Sequence, residues 1–595
     1  MSPTPYRDRT DTVPDKLKLL EAAHRAGRLD VARSLAASIK DTLEWEQQFA
    51  AVVPEPTLAA DRSIAVAGLP NPWATWARGW KHCQPLGLFE TVGIERAGEP
   101  VDLAIAFAAD QVTDPAREVR VAKVDDASGT LSEVPCQLYG EMRRGRERHC
   151  RLVFLADVPA HQHATYLVLY GNPLAERPEY TTDLQVQGEG YGLDIENDHY
   201  RARLSRQVGQ LERLTYKRQH GLELYAGGKG HGEPPGIDWA HDYVDADHFQ
   251  KLRMRNWPHC PNAEVVRGPL CVRVRRFGFP YSPVHPLFTP SRIHMDQTYT
   301  FYAGLPYFYK EGRFDVVKDV AIEAMRDDEW VFSGYSFTDT LWIDAQGKLH
   351  EGDVPAARSN NLWGVGFYHR ASRDAFVALW LEHAAEGFDQ LAHGGAPTLH
   401  YDGHGQLWSR YPAEHANLQA GTSIRQKNAY CVLPFEGADA AQKVEQLRHQ
   451  LKHPLEIHPA ELPRDIKAAA AAGQLARNGE TADTAPLKPA IWKALAQVRD
   501  EQLYKIDANV VDMGYVYDVR VRDGVATVLV TMPHRGRPEY NFLVSAGGGR
   551  VDPGIRERVL AVEGVREVVV EFTWEPPWSV TRLTDVGRSA LGLPG

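Results

Sequence analysis

The chain has 595 residues, more than one hydrophobic core organises, so three or four units are expected. Apolar residues make up 43% and aromatics 10%, the balance of a well-buried globular protein. The net charge of −11 is spread along the chain without a basic tract, which argues against a nucleic-acid partner, since phosphate binding needs clustered Lys and Arg. Met1–Asp15 is polar and lacks the apolar segment of a secretory signal, and no run approaches the roughly 18 apolar residues of a membrane span. The six cysteines (Cys83, Cys136, Cys150, Cys260, Cys271 and Cys431) are far apart and form no CxxC pair. Reduced, buried thiols and a cytoplasmic location are expected.

In chain order, Pro14 to Ala51 predicts two helices broken at Gly27, with Asp30 capping the second. Leu17, Leu20 and Ala23 fall on one face of the first; Val31, Leu35, Ile39, Leu43 and Phe49 follow helical spacing in the second. This helical hairpin, residues 1–55, is read as a docking or dimerisation arm. Residues 60–185 change to period two. Val101–Phe107, Glu118–Val124, Arg151–Leu155 and Thr165–Tyr170 read as strands separated by turns such as Asp126-Ala-Ser-Gly129. Short strands at this spacing predict a β-sandwich.

A second β-rich region covers 186–456. It opens with Tyr191-Gly-Leu-Asp-Ile-Glu-Asn-Asp-His-Tyr-Arg-Ala-Arg-Leu-Ser205, turns at Gln207-Val-Gly209, and continues through Gln210–Arg218 and Gly221–Leu224. This strand–strand–turn–strand phrase resembles the start of the large β-sandwich of galactose mutarotase-like domains, among them the C-terminal domains of α-mannosidases. Later strands are predicted at Leu270–Arg276, Gln297–Tyr302, Tyr335–Ile343, Leu362–Tyr368 and Ala375–Leu381. Residues 457–488, with the alanine run Ala468–Ala472 and few aromatics, read as a linker.

Residues 489–595 predict helix, strand, strand, helix, strand, with Arg522-Asp-Gly524 as the hairpin turn and a last helix from Thr581. The segment Ile506-Asp-Ala-Asn-Val-Val-Asp-Met-Gly-Tyr-Val-Tyr-Asp518, the Gly536-Arg-Pro538 loop, Trp574-Glu-Pro-Pro-Trp-Ser579 and Gly587-Arg-Ser-Ala-Leu591 together resemble the SufT/PaaD-like iron–sulfur assembly domain. In that family the loop carries Gly-Cys-Pro, and its cysteine is the residue tied to iron–sulfur work. Arg537 stands in its place here. A guanidinium offers no lone pair to iron, so cluster binding by this domain alone is not expected. What remains is a scaffold or interaction role, or a redeployed loop in which His534, Arg535 and Arg537 suit a carboxylate or phosphate. The fold class is therefore multidomain and mainly β: a helical hairpin, two β-sandwich units and a small C-terminal α+β domain.

The densest polar cluster runs from Gly228 to His248. It contains His231, Glu233, Asp238, His241, Asp242, Asp245, Asp247 and His248 among glycines and prolines, and reads as a long loop on a β scaffold. Imidazoles oriented by carboxylates supply general acid and base near neutrality. Catalytic roles are expected for His231, Asp238, His241 and Asp242. The same donors suit a divalent metal such as zinc or manganese, with His231, His241, Asp242 and His248 as candidate ligands. Tyr307, Tyr309, Trp330, His285 and His294 are candidate substrate contacts. Arg326-Asp-Asp-Glu-Trp330 offers paired acids before an aromatic, and His400-Tyr-Asp-Gly-His404 is a further polar turn. No Gly-x-Ser-x-Gly elbow, phosphate-cradling loop or dinucleotide fingerprint is present.

The expectation is a hydrolase or lyase acting on a glycan or related small molecule. The alternative is a non-catalytic iron–sulfur or metalloenzyme assembly factor, or an accessory subunit of a catabolic complex, as the PaaD-like resemblance implies. Protein partners or a second copy would be met through the N-terminal helices or the C-terminal domain.

Overall fold

The computed structural model describes residues 13–48, 55–218, 223–225, 236–246, 250–257, 259–280, 282, 292–332, 336–355, 361–401, 405–462, 486–500, 503, 506–535 and 553–593. The chain is mainly β with several sheets, and it divides into two compact units. No helix among the described residues is long and apolar enough to cross a membrane.

The N-terminal hairpin forms as expected. Helices Val13–Arg25 and Leu29–Gln48 meet at Gly27, whose φ of 71° is the left-handed conformation that a non-glycine residue resists. Ala23, Ala32 and Leu35 are its buried contacts.

The large unit, Thr182–Pro454, contains the predicted meander. Strands Gly192–Glu196, Tyr200–Leu204 and Leu211–Tyr216 pair antiparallel in sequence order; apolar residues point inward at every second position of the first two, and a register shift at Arg203–Leu204 spaces Leu211 and Leu214 by three in the third. Among the described residues the broadest sheet has nine antiparallel strands, with Ile293–Tyr302, Tyr307–Val316, Ser423–Pro434 and Asp374–Glu386 adjacent at its middle. One face joins a single aromatic-rich core with the other sheets; strand Asp328–Phe332, paired to Gly405–Arg410, contributes Trp330 and Trp408 to it. The opposite face is covered by helix Ala440–Lys452 through Ala440, Val444 and Leu451. That helix lies in a region read as all strand. Its helical spacing of apolar residues is diluted by Gln, Lys and Arg, but Val444, Leu447 and Leu451 still share a face.

Two further differences concern segments read as irregular. The end of the predicted polar loop, Asp242–Asp245, is a strand pairing with both Gln250–Arg253 and Val320–Arg326, while residues 226–235 and 247–249 lie outside the described residues. Its alternation Asp-Tyr-Val-Asp has only one strongly apolar inward side chain, Tyr243, which hid the pattern. The predicted linker begins with strand Glu456–Pro459, paired to His82–Phe89, and residues 463–485 lie outside the described residues.

The other unit combines 55–181 with 455–593. Its sandwich stacks a sheet containing His82–Phe89 and His163–Tyr170 on the three strands Arg96–Ala108, Glu147–Val158 and Cys136–Arg144. Near the predicted Glu118–Val124 strand, Asp114 caps a helical turn, Pro115–Glu118, and the strand starts at Arg120. In the C-terminal domain, helix Leu487–Leu495 precedes strands Val516–Arg522 and Val525–Val530. Helix Ile555–Leu560 then leads to Glu567–Phe572, which lies parallel to Val525–Val530. This domain has its own core around Ile491, Val510, Val528 and Ile555. The predicted last helix is a turn at Val580–Arg582 followed by a helix at Asp585–Ala590, capped by Thr584.

Candidate active site

The inward face of the broad sheet carries a polar cluster buried among aromatics. Segment 237–239 runs antiparallel to Glu329–Val331, held by Trp239 N–H to Glu329 O (2.8 Å) and Val331 N–H to Ile237 O (2.9 Å). This places Asp238 beside Asp328 and Trp330. Asp238 accepts from Tyr299 Oη (2.5 Å), Lys310 Nζ (2.9 Å) and Gln297 Nε2 (3.2 Å). Lys310 also reaches Asp328 Oδ1 at 3.3 Å, so one buried ammonium bridges two buried carboxylates. Asp328 in addition accepts from the Trp330, Trp380 and Trp408 indoles and from Tyr430 Oη (2.6 Å). Such a network is tolerable in a core only because its charges are paired and hydrogen-bonded. Burial, with the facing Asp238 and Asp328 carboxylates, pushes the Tyr299 and Tyr430 hydroxyls well above the usual phenol range.

His241 lies over Gly312. A Cβ at that position would collide with the imidazole, so glycine makes the dent that admits the ring. Gln297 and Gln426 are the cross-strand neighbours of Gly312 on either side. Their amide nitrogens approach His241 Nδ1 and Nε2, each at 3.1 Å. Neither amide can turn. Gln297 Nε2 also serves Asp238, while Gln426 Nε2 donates to the Asp327 carbonyl (2.6 Å) and its Oε1 accepts from Arg410 (2.5 Å). Burial first, then the Lys310 charge, lowers His241 well below the ordinary histidine range and keeps it neutral. A neutral imidazole has one acceptor nitrogen and one N–H. One His241 N–H therefore faces an amide nitrogen and has no acceptor among the described residues.

Around this ring, Gln210 Oε1, Gln297 Oε1 and Asn428 Oδ1 are buried without a hydrogen-bond partner among the described residues. Behind it, Asp327 pairs with Arg410 (2.8 Å) and His383 (2.9 Å).

The sequence candidates divide sharply. Asp238 and His241 join one cluster, together with the paired acids Asp327 and Asp328. Asp242, one residue on, is flanked by its cross-strand neighbours Arg326 and Arg253. It pairs with Arg326 Nε (2.8 Å) and Arg253 Nε (3.1 Å), and Arg326 holds its carboxyl below the usual range against the effect of burial. Trp330 is fully buried and joins the cluster through its indole N–H. Tyr307 and Tyr309 lie on the opposite face of their strand from Lys310, Tyr307 within the core under helix Ala440–Lys452, so they do not meet Trp330. His294 is likewise on the other face of its strand from Gln297 and Tyr299, edge-on to Phe277 and Phe279, and burial lowers it to about 3. His231, His248 and His285 lie outside the described residues, as do Arg537 and 402–404 of the His400–His404 turn. Among the described residues no group of three or more His, Cys, Asp or Glu is arranged to hold a metal.

Lys310, Gln297, Tyr299, Gln426, Tyr430, His383 and Arg410 belong to the same buried cluster and were not among the sequence candidates. One signal was available: in Phe308-Tyr-Lys-Glu-Gly-Arg-Phe314 the lysine and glycine occupy the same alternating face as two phenylalanines, which marks an ammonium in a core.

In the C-terminal domain, Arg535 lies over the Trp574 ring at 5.5 Å. The chain has no cysteine beyond Cys431, and all six thiols are buried. Burial raises Cys136 to about 11 and Cys150 to about 12.

No known protein-family model matches the chain. An Fe–S protein maturation auxiliary factor of Porphyromonas gingivalis (strain ATCC BAA-308 / W83) is 30% identical over 90 residues, which cover 15% of this chain and 78% of that protein. The Fe–S protein maturation auxiliary factor YitW of Bacillus subtilis (strain 168) is 28% identical over 108 residues, 18% of this chain and 95% of that protein. Both are similar to the C-terminal region. Among solved structures, a protein in glycosyl hydrolase family 38 from Enterococcus faecalis has a TM-score of 0.39 and 11% identity, covering 70% of this chain; the chain spans 50% of that protein's length.

Proposed function

The chain belongs, through its C-terminal region, to the family of the Fe–S protein maturation auxiliary factors, and from that premise we propose that this domain is an accessory and that the large sandwich carries acid–base chemistry on a polyhydroxylated small molecule. The observation that carries the reading is His241: neutral, wedged between two amide nitrogens, with one ring N–H lacking an acceptor among the described residues. Hydrolysis and β-elimination both need a proton taken and a proton given; a neutral imidazole takes one at its lone-pair nitrogen and returns it from the imidazolium so formed. The unpartnered oxygens of Gln210, Gln297 and Asn428 match the donors of a hydroxyl-rich ligand, and the Trp330, Trp380 and Trp408 rings lie in the same cluster. In this reading His241 is the acid–base, with His231 as its expected partner. Asp238 and Lys310 orient Gln297 and through it the imidazole. Asp242, paired to Arg326 and Arg253, secures the strand that follows His241.

The test is NMR-monitored incubation of the purified protein with a panel of aldoses, glycosides and uronates. Turnover by the wild type is expected to fall by about 10²–10⁴-fold in His241→Gln, with the unfolding midpoint of that variant checked alongside. Undiminished turnover in both His241→Gln and His231→Ala, or no conversion of any panel member by the wild type, would overturn the reading.

A second reading is favoured by the relatives and by the cysteine inventory. Here the C-terminal domain recruits the chain to an Fe–S protein whose own thiolates hold the cluster, because this domain has none to offer. Iron and sulfide that copurify with the full chain, and are lost when residues 487–595 are removed, would support it.

A further inference from the structure

The inward face of the broad sheet holds a further cation two strands from the Gly312 dent. Arg276, Gln297, Gly312 and Gln426 are successive cross-strand neighbours along one row. Adjacent strands lie about 4.8 Å apart, so about 10 Å separates the Arg276 backbone from the glycine that His241 covers. An arginine side chain and one sugar ring together span that distance. Arg276 is fully buried. Its Nη1 donates to the Val208 carbonyl (2.9 Å), and its guanidinium lies over the Tyr299 ring at 5.3 Å. Gly209, with a φ of 67°, makes room for it, since a Cβ there would stand 2.7 Å from Arg276 Cδ. The other edge of the fork, Nε and Nη2, is buried and makes no hydrogen bond among the described residues.

Other arginines of this unit use that same edge to grip a carboxylate. Arg410 holds Asp327 through Nε (2.8 Å) and Nη2 (3.1 Å). Arg275 holds Asp296, and Arg326 holds Asp242, through the same two nitrogens. Two parallel N–H groups match the two oxygens of a carboxylate. A guanidinium keeps its proton when buried, so the Arg276 charge is costly unless an anion completes it. The neighbouring cations are already engaged: Lys310 is shared by Asp238 and Asp328, and Arg410 is held by Asp327. Next to Gly209, Gln210 donates from Nε2 to the carbonyl of Ala240 (2.5 Å), the residue before His241. The Oε1 atoms of Gln210 and Gln297 remain without a partner among the described residues. A paired donor edge flanked by amide acceptors suits a ligand that carries both a carboxylate and hydroxyls.

We propose that Arg276 determines the substrate class of this site: its Nε–Nη2 edge receives the carboxylate of a hydroxyl-rich acid, so that the ligand is a uronate and not a neutral sugar. The assignment rests on the reading in which the ligand meets His241. Gln297, beside both residues, accepts a hydroxyl of the same ligand. Arg276 is also one of the charges that hold the His241 proton affinity down, after burial and Lys310, so an anion bound to it eases protonation of the imidazole.

The experiment is calorimetric titration of the full-length protein with D-glucuronate, D-galacturonate and D-mannuronate, each beside its neutral hexose, and with glucose 6-phosphate. At least one uronate is expected to bind about tenfold or more tighter than its hexose, the difference that charge-assisted hydrogen bonds supply. Arg276→Met is expected to weaken that uronate by about 10–100-fold and to leave the hexose unchanged. Arg276→Lys keeps the charge but not the two-pronged edge and is expected to fall between; it carries the test by itself if Arg276→Met does not fold. No uronate bound by the wild type, equal affinity for uronate and hexose, equal affinity for glucose 6-phosphate, or full uronate affinity in both variants overturns the assignment. His241→Gln separates the two readings. If uronates bind to it and to the wild type through Arg276 but are not converted by either, the acid–base reading fails alone. If the wild type converts sugars through His241 and Arg276→Met converts uronates as well as it does, the Arg276 assignment fails alone.

Discussion

Single residues decide whether a core full of charge is stable. Lys310 is the clearest case, since its ammonium is the only cation in hydrogen-bond contact with both Asp238 and Asp328 among the described residues. Lys310→Met leaves two buried carboxylates facing each other and is expected to cost about 3–5 kcal/mol, read from urea unfolding. Adding Asp238→Asn removes one of the two negative charges and is expected to recover part of that loss. His383 makes a different prediction. Its folded value of about 4 lies below the ordinary 6.5, so the folded state binds fewer protons than the unfolded chain. Its contribution is whole above pH 6.5 and disappears as the pH falls toward 4. The gap corresponds to about 3 kcal/mol at most. The unfolding midpoint should therefore fall more steeply between pH 6.5 and 4 in the wild type than in His383→Gln; equal slopes would contradict the assignment.

At the scale of elements, three local features assemble the site. Gly312 opens a dent in its strand, and the flanking strands present an amide on each side of it. The isolated pairing of Asp238 with Trp330 pins an irregular segment to a regular strand. The bulge at Leu381 changes which side chains of the Asp374–Glu386 strand face inward, and without it His383 would point away from Asp327. Each feature is a departure from regular pairing, in keeping with bulges and glycines clustering where a side chain must be aimed.

At the scale of the molecule, the C-terminal domain is joined to residues 55–181 by buried charge. Lys488 pairs with Glu176, each at most 2% exposed, and Arg522 reaches the same carboxylate at 2.8 Å. Arg582 meets Asp114 at 3.2 Å and lies over the Tyr517 ring, which Arg177 covers as well. Arg148 donates to the Thr581 carbonyl at 3.1 Å. Pairs this dry are costly to break one partner at a time. A protease site engineered between residues 463 and 485 is therefore expected to yield two fragments that co-elute on gel filtration, and Lys488→Met with Arg582→Met is expected to separate them. Separation of the cleaved wild-type fragments would show that these contacts do not hold the domain.

The sequence by itself determined the local matters: alternating strands, the helical hairpin turned at Gly27, the strand–turn–strand opening at Tyr191–Arg218, and the C-terminal domain with Arg537 where its family has cysteine. These depend on neighbours a few residues apart, whose periodicity and turn chemistry are written in the chain. It also singled out Asp238, His241 and the Asp327–Asp328 pair, because acids and imidazoles stand out in apolar surroundings. Only the tertiary structure decided that Asp242 belongs to a separate ion-pair group, that Tyr307 and Tyr309 face away from Trp330, and that Lys310, Gln426 and His383 converge on the same spot. Those outcomes depend on strand register and one bulge between segments more than a hundred residues apart, and a slip of one residue sends every side chain to the other face.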